Sequence, residues 1–326
     1  MKVFLWIIFL IGFFQMYASE LMHRSLLEYE KKNNTFVWEE TQLSSFDELI
    51  VSWNAERPES GFYLIQVSLF ISAWSPWLDY AYWGTNDQYT FKNDLPDLGI
   101  QVYQDIIKVL RDNKATGFRV RIIAKEKEAL DGLRTLHISA IDRSTHTVNF
   151  TPSENVSVNL KVMGLSQIAL LDERRLSLCS PTSTTAVINF LSDTLPLSPL
   201  EFASYVVDSA FDIYGNWILN TAQASHLLGK SWECFVARLT SFNQIVDQLG
   251  KGYPVVVSIR GPLKGSALPY ESGHLVVVTG YESKNQEVLC MDPAFPTDDL
   301  THVKYPLNEF LTAWSRRQGT AYLFNH

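Results

Sequence analysis

Cysteine is scarce in this chain, with three in 326 residues, and no pair of them has the spacing of a structural zinc site. An odd number leaves at least one thiol unpaired even in an oxidising compartment. There is no glycine-rich phosphate loop and no Gly-x-Ser-x-Gly elbow, so the common nucleotide-binding and serine-hydrolase signatures are missing. Positive charge is in deficit: 27 Lys and Arg against 35 Asp and Glu give a net charge of −8, which argues against nucleic acid as a partner. Asp298-Asp299 lacks the alternating oxygen ligands of a calcium loop and reads as a solvated turn. No cofactor and no metal are expected. The one long apolar run, Val3 to Phe14, is short for a membrane span. With Lys2 before it and Ala18-Ser19 after it, it predicts a signal peptide over 1–19 and a secreted or periplasmic protein. Met16 and Tyr17 are bulky for a cleavage region, so an uncleaved membrane anchor is the minor alternative.

What is present is ordinary for a globular protein, 46% hydrophobic and 19% charged, over a length that suggests two domains. After a polar lead-in over 20–35, the region 36–160 reads as strands. Phe62 to Ile71, Gly117 to Ile123, Leu136 to Asp142 and Val156 to Val162 are short β-branched or alternating runs separated by polar turns. They predict a β-sandwich or jelly-roll-like domain, with one helix over 102–110. Aromatic residues are plentiful, and Trp74-Ser75-Pro76-Trp77-Leu78-Asp79-Tyr80-Ala81-Tyr82-Trp83-Gly84 concentrates them. Such a cluster is a candidate glycan contact; the weightier reading is that the rings fill the core or an interface.

The region 161–326 changes character, with helices first and antiparallel strands afterwards, an α+β arrangement. Ser198-Pro199 opens a helix with Phe202, Tyr205, Val206 and Ala210 on its inner face. Trp217 to Leu228 is another, stopped near Gly229. Ser241-Phe242-Asn243-Gln244 is a capping box for a third. Tyr253 to Ile259 is a strand expected beside the strand of His274. The Gly- and Pro-rich Arg260 to Glu271 leads as a loop to that histidine. A last helix over 307–314 and a strand over 320–324 close the chain.

One stretch in this region carries chemistry. In Leu178-Cys179-Ser180-Pro181-Thr182-Ser183, Ser180 can cap a helix and Pro181 suits its first turn. Cys179 then lies at a helix N-terminus, where unpaired N–H groups favour thiolate. A small buried hydrophobe is the competing reading. Ser272-Gly273-His274 opens a β-branched run, and Val288 to Asp292 is a second run with a polar turn between, a hairpin pattern. Folded about position 283, it sets His274 directly opposite Asp292, where a carboxylate fixes the imidazole tautomer. Cys179, His274 and Asp292 thus form a nucleophile, base and orienter set. Cys234 and Cys290 read as buried thiols, with a disulfide between them as the alternative. His137, His146, His226, His302 and His326 are isolated in the sequence.

These residues also carry a resemblance. From about Val162 onward the chain is similar to the papain-like cysteine peptidases related to the bacteriocin-leader-processing peptidases, cysteine peptidase family thirty-nine. The matching pieces are Leu165-Ser166-Gln167, Cys179-Ser180-Pro181-Thr182-Ser183, Gly273-His274-Leu275-Val276-Val277-Val278-Thr279-Gly280-Tyr281 and Asp292-Pro293-Ala294. Gly215-Asn216-Trp217, Asn220-Thr221-Ala222 and Ala237-Arg238-Leu239 resemble a secreted bacterial branch. Many members have Gly after the nucleophile, where this chain has Ser180. The resemblance implies a papain-like fold, peptide or amide hydrolysis, and an oxyanion donor at Gln167. The substrate it implies is a peptide or protein, with cell-wall peptide as one option. The alternative is a non-catalytic binding protein whose papain-like half is a retained scaffold and whose front domain holds the ligand.

Overall fold

The computed structural model describes residues 19–31, 33–125, 130–151, 157–192 and 196–326, so the expected signal segment lies outside it except for Ser19. The fold is mixed α/β, with strands predominating. The front part holds two antiparallel sheets. One has six strands in the order β1 (Ser19–Ser25), β11 (Leu133–Ile141), β3 (Glu48–Ala55), β9 (Ile106–Val109), β8 (Ile100–Tyr103) and β7 (Lys92–Leu95). The other has five: β2 (Thr35–Glu40), β10 (Gly117–Ala124), β4 (Phe62–Phe70), β5 (Leu78–Gly84) and β6 (Gln88–Thr90). Strand alternation does the sorting. In β10, Phe118, Val120 and Ile122 are fully buried, while Arg119 and Arg121 face outward and are half-buried. Trp53 of β3 meets Trp83 of β5 edge to face, with Tyr63 of β4 stacked on the same indole. The aromatic cluster is therefore divided: Tyr80 and Trp83 are core, whereas Trp74 and Trp77 are half-buried. The faces of those two rings carry guanidinium groups, Arg119 over both and Arg121 over Trp77 at 4.4 Å.

The back part is built on a seven-stranded antiparallel sheet. Its path is β13 (Glu233–Arg238), β18 (Thr320–Asn325), β14 (Val255–Ile259), β15 (His274–Glu282), β16 (Glu287–Met291) and β17 (His302–Pro306), and β12 (Ser157–Asn159) adds to β15. Between this sheet and the front part lie α1 (Cys179–Leu191) and α3 (Trp217–Leu228), with α2 (Pro199–Val206) beside them. On the other face pack α4 (Phe242–Gly250) and α5 (Leu307–Ser315). One hydrophobic cluster runs from Trp53 and Trp83 of the front sheets to Val187 of α1 and Ile218 of α3. Strand β3 is consequently buried along its whole length. Its polar residues Ser52 and Asn54 turn towards β13, where Asn54 Oδ1 accepts the N–H of Cys234 and Ser52 Oγ that of Val236. Ser139 of β11 accepts the N–H of Arg238 in the same way. The outer edge of the back sheet is thus closed by side-chain oxygens instead of a further strand.

Three expectations are corrected. The lead-in begins with regular structure: Ser19 to Ser25 is the edge strand β1, paired along β11. The helix expected over 102–110 is the hairpin of β8 and β9, closed by Gln104 and Asp105. Its apolar residues alternate across a pleat, and Gln104 takes a left-handed φ of 54°, a conformation that ends helices and suits turns. Of the strand expected over 156–162, Val156 lies outside the described residues; among the rest only Ser157–Asn159 is regular, and it pairs with β15 of the back sheet, not with the front sheets. Ser198 and Ser241 do cap α2 and α4, and Gly229 ends α3. On α2, Phe202 and Val206 face inward, but Tyr205 is exposed and Ala210 lies beyond the helix end. Among the described residues no helix is long and apolar enough to cross a membrane.

Candidate active site

Cys179 is the first residue of α1, but Ser180 does not cap the helix. The cap position is Leu178, with no side-chain cap, and the Ser180 hydroxyl is instead hydrogen-bonded to the hydroxyl of Tyr322 at 2.9 Å. Ser183 Oγ donates to the carbonyl of Leu275, so the helix is fastened to the residue after His274. Ser180 to Ile188 are all buried, which holds the N-terminus still. Cys179 itself is half-buried and faces a cleft of about 310 Å³ lined also by Gln167, Leu176, Leu268, Tyr270 and His274.

His274 opens β15 and is 5% exposed, and its Nε2–H donates to Asp292 Oδ1 at 2.8 Å. That leaves Nδ1 for the thiol of Cys179, with which the ring interacts. The pairing differs in register from the expected one. β15 and β16 carry a bulge between Val278 and Gly280, and Val277 faces Met291. Extending that register by one pair puts Asp292 opposite Val276, so its carboxylate reaches His274 diagonally. The turn closes at Glu282 opposite Glu287, later than position 283.

Two tyrosines complete the site, and the sequence reading missed both. Tyr270 and Tyr305 each donate to Asp292 Oδ2, at 2.7 and 2.6 Å, and the Ala294 N–H donates to Oδ1. The Tyr270 ring also stacks on the imidazole, centroids 4.0 Å apart. An isolated buried carboxylate loses several kcal/mol of hydration; four donors replace that shell. Burial alone would raise the Asp292 carboxyl, but the charge of His274 and these hydrogen bonds hold it below the usual range. Burial likewise lowers His274, and Asp292 outweighs it, pushing the imidazole up to about 10. For Cys179 burial raises the thiol, and the His274 contact with the N–H groups of Leu275 and Ser180 brings it below the ordinary value. Burial and the Asp292 charge push both phenols far up, so they stay protonated donors.

Gln167 is 2% exposed. Its backbone N–H donates to Pro293 O and its side-chain Nε2 to Arg175 O, in the turn that enters α1. One amide proton is spent on that carbonyl, which leaves the second for the cleft, while Oε1 has no partner. Cys234 and Cys290 are buried thiols, not a disulfide.

His137 is not isolated. It pairs across β1 and β11 with His23, Nδ1 to Nδ1, and the ligand atoms of these two and Glu233 lie within 4.8 Å of one another. Asn54 decides how the group reads. Its Oδ1 accepts the Cys234 N–H, so its NH₂ faces His137 Nε2, which must accept. A metal on Nδ1 is served by a ring that carries its proton on Nε2. The pair is therefore a hydrogen-bonded pair, and burial holds both imidazoles below their ordinary value. His146 and His226 have structural partners too, Gln318 O and the Arg57 N–H.

A family model described as "Peptidase_C39 like family" matches residues 159–322. Among solved structures, a C39-like peptidase from Bacillus anthracis is similar at 17% identity and a TM-score of 0.41, covering 53% of this chain and 98% of that one. Xylellain, a cysteine protease from Xylella fastidiosa, is similar at 12% identity and a TM-score of 0.34, covering 55% and 91%. No curated protein sequence matches the chain.

Proposed function

The chain belongs to the Peptidase_C39 like family, and from that membership we propose that it is an exported cysteine hydrolase cleaving peptide or amide bonds. Cys179 is the nucleophile, His274 the acid and base, Asp292 the orienter. The observation that carries this reading is a half-buried thiol at a helix start, facing an imidazole whose far nitrogen is bound to a buried carboxylate. In the ground state the proton of Cys179 resides on His274 Nδ1. The thiolate attacks the scissile carbonyl carbon, and the π electrons move to oxygen. The oxyanion is met by the Cys179 N–H and the second amide proton of Gln167. Collapse restores the carbonyl and expels the amine, which takes the proton from His274. Water, losing a proton to the same nitrogen, then opens the thioester and returns the sulfur.

Two leucines stand at the rim of the cleft, Leu176 at 69% exposure and Leu268 at 45%. We read them as the seat of an apolar substrate side chain, since exposed apolar surface beside a reactive group is where burial of a ligand gains most. A division into a β-sandwich-like front domain running from β1 to β11 and a papain-like domain from β12 onward goes with this reading. In it the front domain presents the substrate, and residues 1–19 direct export.

Iodoacetamide tests the proposal. At neutral pH the wild-type Cys179 should be alkylated roughly tenfold or more faster than in His274→Ala, because an ordinary thiol is only a few per cent thiolate there. Equal, slow labelling in both proteins would overturn the assignment. Cys234 and Cys290 are too buried to interfere. Gln167→Ala should lower turnover by on the order of a hundredfold, as for loss of one oxyanion donor. The alkylation rate, which involves no oxyanion, should not change; a parallel fall in both would mean that Gln167 only shapes the turn before Cys179.

A further inference from the structure

A cavity of about 180 Å³ lies at the seam of front and back parts, walled by Lys108, Arg143, Arg238, Arg316, Arg317 and Glu48. An adjoining one of about 210 Å³ shares Lys108 and Arg317 with it and adds Asp105. In a chain of net charge −8, five cations on one small cavity call for an accounting. Arg143 is ion-paired with Asp47 and Arg238 with Glu48. Among the described residues no carboxylate stands within ion-pair distance of Lys108, Arg316 or Arg317.

The hydrogen bonds leave the same surplus. Arg316 gives one nitrogen to the carbonyls of Arg260 and Pro262, and Arg317 gives Nε to Ser258 Oγ. Arg238 is 6% exposed; its Nη1 donates to Arg317 O and Thr320 Oγ1 and its Nη2 to Glu48, and its Nε has no partner. Arg238 and Arg317 lie against one indole, that of Trp217, at 5.1 and 5.4 Å from the centroid. Glu48 and Asp47 answer Arg238 and Arg143; Lys108, Arg316 and Arg317 remain, and like charges gathered where water is partly excluded repel. Burial lowers Arg317 first of all, Asp105 opposes that, and Arg238 and Arg260 add to it. Asp105 is itself engaged, accepting the N–H of Trp217. The guanidinium nitrogens that Arg316 and Arg317 leave open match the paired oxygens of an oxyanion.

We propose that this cavity binds a small oxyanion, a phosphate or a carboxylate group, gripped by Lys108, Arg316 and Arg317 with Arg238 behind them. The site is independent of the thiol chemistry, although Arg317 also backs Gly273: a Cβ there would meet its guanidinium at 3.4 Å.

Calorimetric titration of the full chain with inorganic phosphate and, separately, with acetate tests it, at an ionic strength held constant with chloride. Saturable binding of at least one is expected, weakened roughly tenfold or more in Lys108→Gln/Arg316→Gln, since a charge-assisted hydrogen bond is lost at each position. Arg316 is exposed and Lys108 half-buried, so the variant should melt as wild type in anion-free buffer; Lys108→Gln alone serves if it does not. Phosphate without acetate assigns a tetrahedral dianion, and acetate binding assigns a carboxylate group. No saturable binding of either, or unchanged affinity in the variants, overturns the site.

Discussion

Replacing Cys179 by alanine should abolish hydrolysis, a loss on the order of 10⁵–10⁶-fold in kcat, the scale seen when a covalent nucleophile is removed. The side chain is half-buried and makes no disulfide, so the variant should fold and melt much as the wild type does. The measurement is turnover of a denatured-protein digest, followed by mass spectrometry of the peptides released, with the melting curve alongside. An undiminished rate in a folded Cys179→Ala protein would put the chemistry elsewhere. Alanine is preferable to serine, since a hydroxyl beside His274 retains a weak nucleophile.

Asp292→Asn is expected to cost nearly as much, on the order of 10⁴-fold in kcat, because the orienting carboxylate fixes the productive tautomer. Its sign with pH is also defined. Asp292 is the chief influence holding His274 up at about 10 against burial. With the amide in place only the Cys179 contact still opposes burial, and the imidazole falls back towards its ordinary value of about 6.5. Wild-type activity should therefore rise as pH passes the lowered Cys179 value and fall near pH 10. In Asp292→Asn the thiolate–imidazolium pair is lost at pH 7, and Cys179 alkylation should recover only as the pH approaches that of an unassisted, buried thiol. Alkylation with the same pH profile in both proteins would separate Asp292 from the thiol. Stability should fall too, since Tyr270, Tyr305 and His274 all donate to this one carboxylate, and an amide nitrogen cannot accept.

Much of this was legible in the residues, for reasons that differ from place to place. Ser198, Ser241 and Gly229 mark helix ends because caps act within one turn, and local signals survive folding. The proximity of His274 to Asp292 followed from a hairpin, but the register did not, because a bulge at Thr279 leaves no mark in the sequence. Tyr270 and Tyr305 reach Asp292 from a loop and from a third strand, contacts set by tertiary packing alone. A Tyr ahead of a β-branched strand carries no distinguishing signal. The helix expected over 102–110 failed through its period: Val102, Ile106 and Leu110 fit a helical stripe, whereas Ile100 and Val102 facing Val109 and Ile107 fit a hairpin. His23 and His137 meet only because β1 lies on β11, and that stretch reads as a polar lead-in.

The side-chain oxygens that close β13 have a consequence for how such a chain can change. Asn54, Ser52 and Ser139 meet Cys234, Val236 and Arg238, every second residue of one strand. A ladder with that spacing tolerates no slip, since a shift of one residue brings carbonyls where amides stood. The thiol-bearing half is accordingly not a portable cassette. Moved to another host, it would arrive with three amide protons bare along an open margin, and the new neighbour would have to offer three acceptors at the same stride.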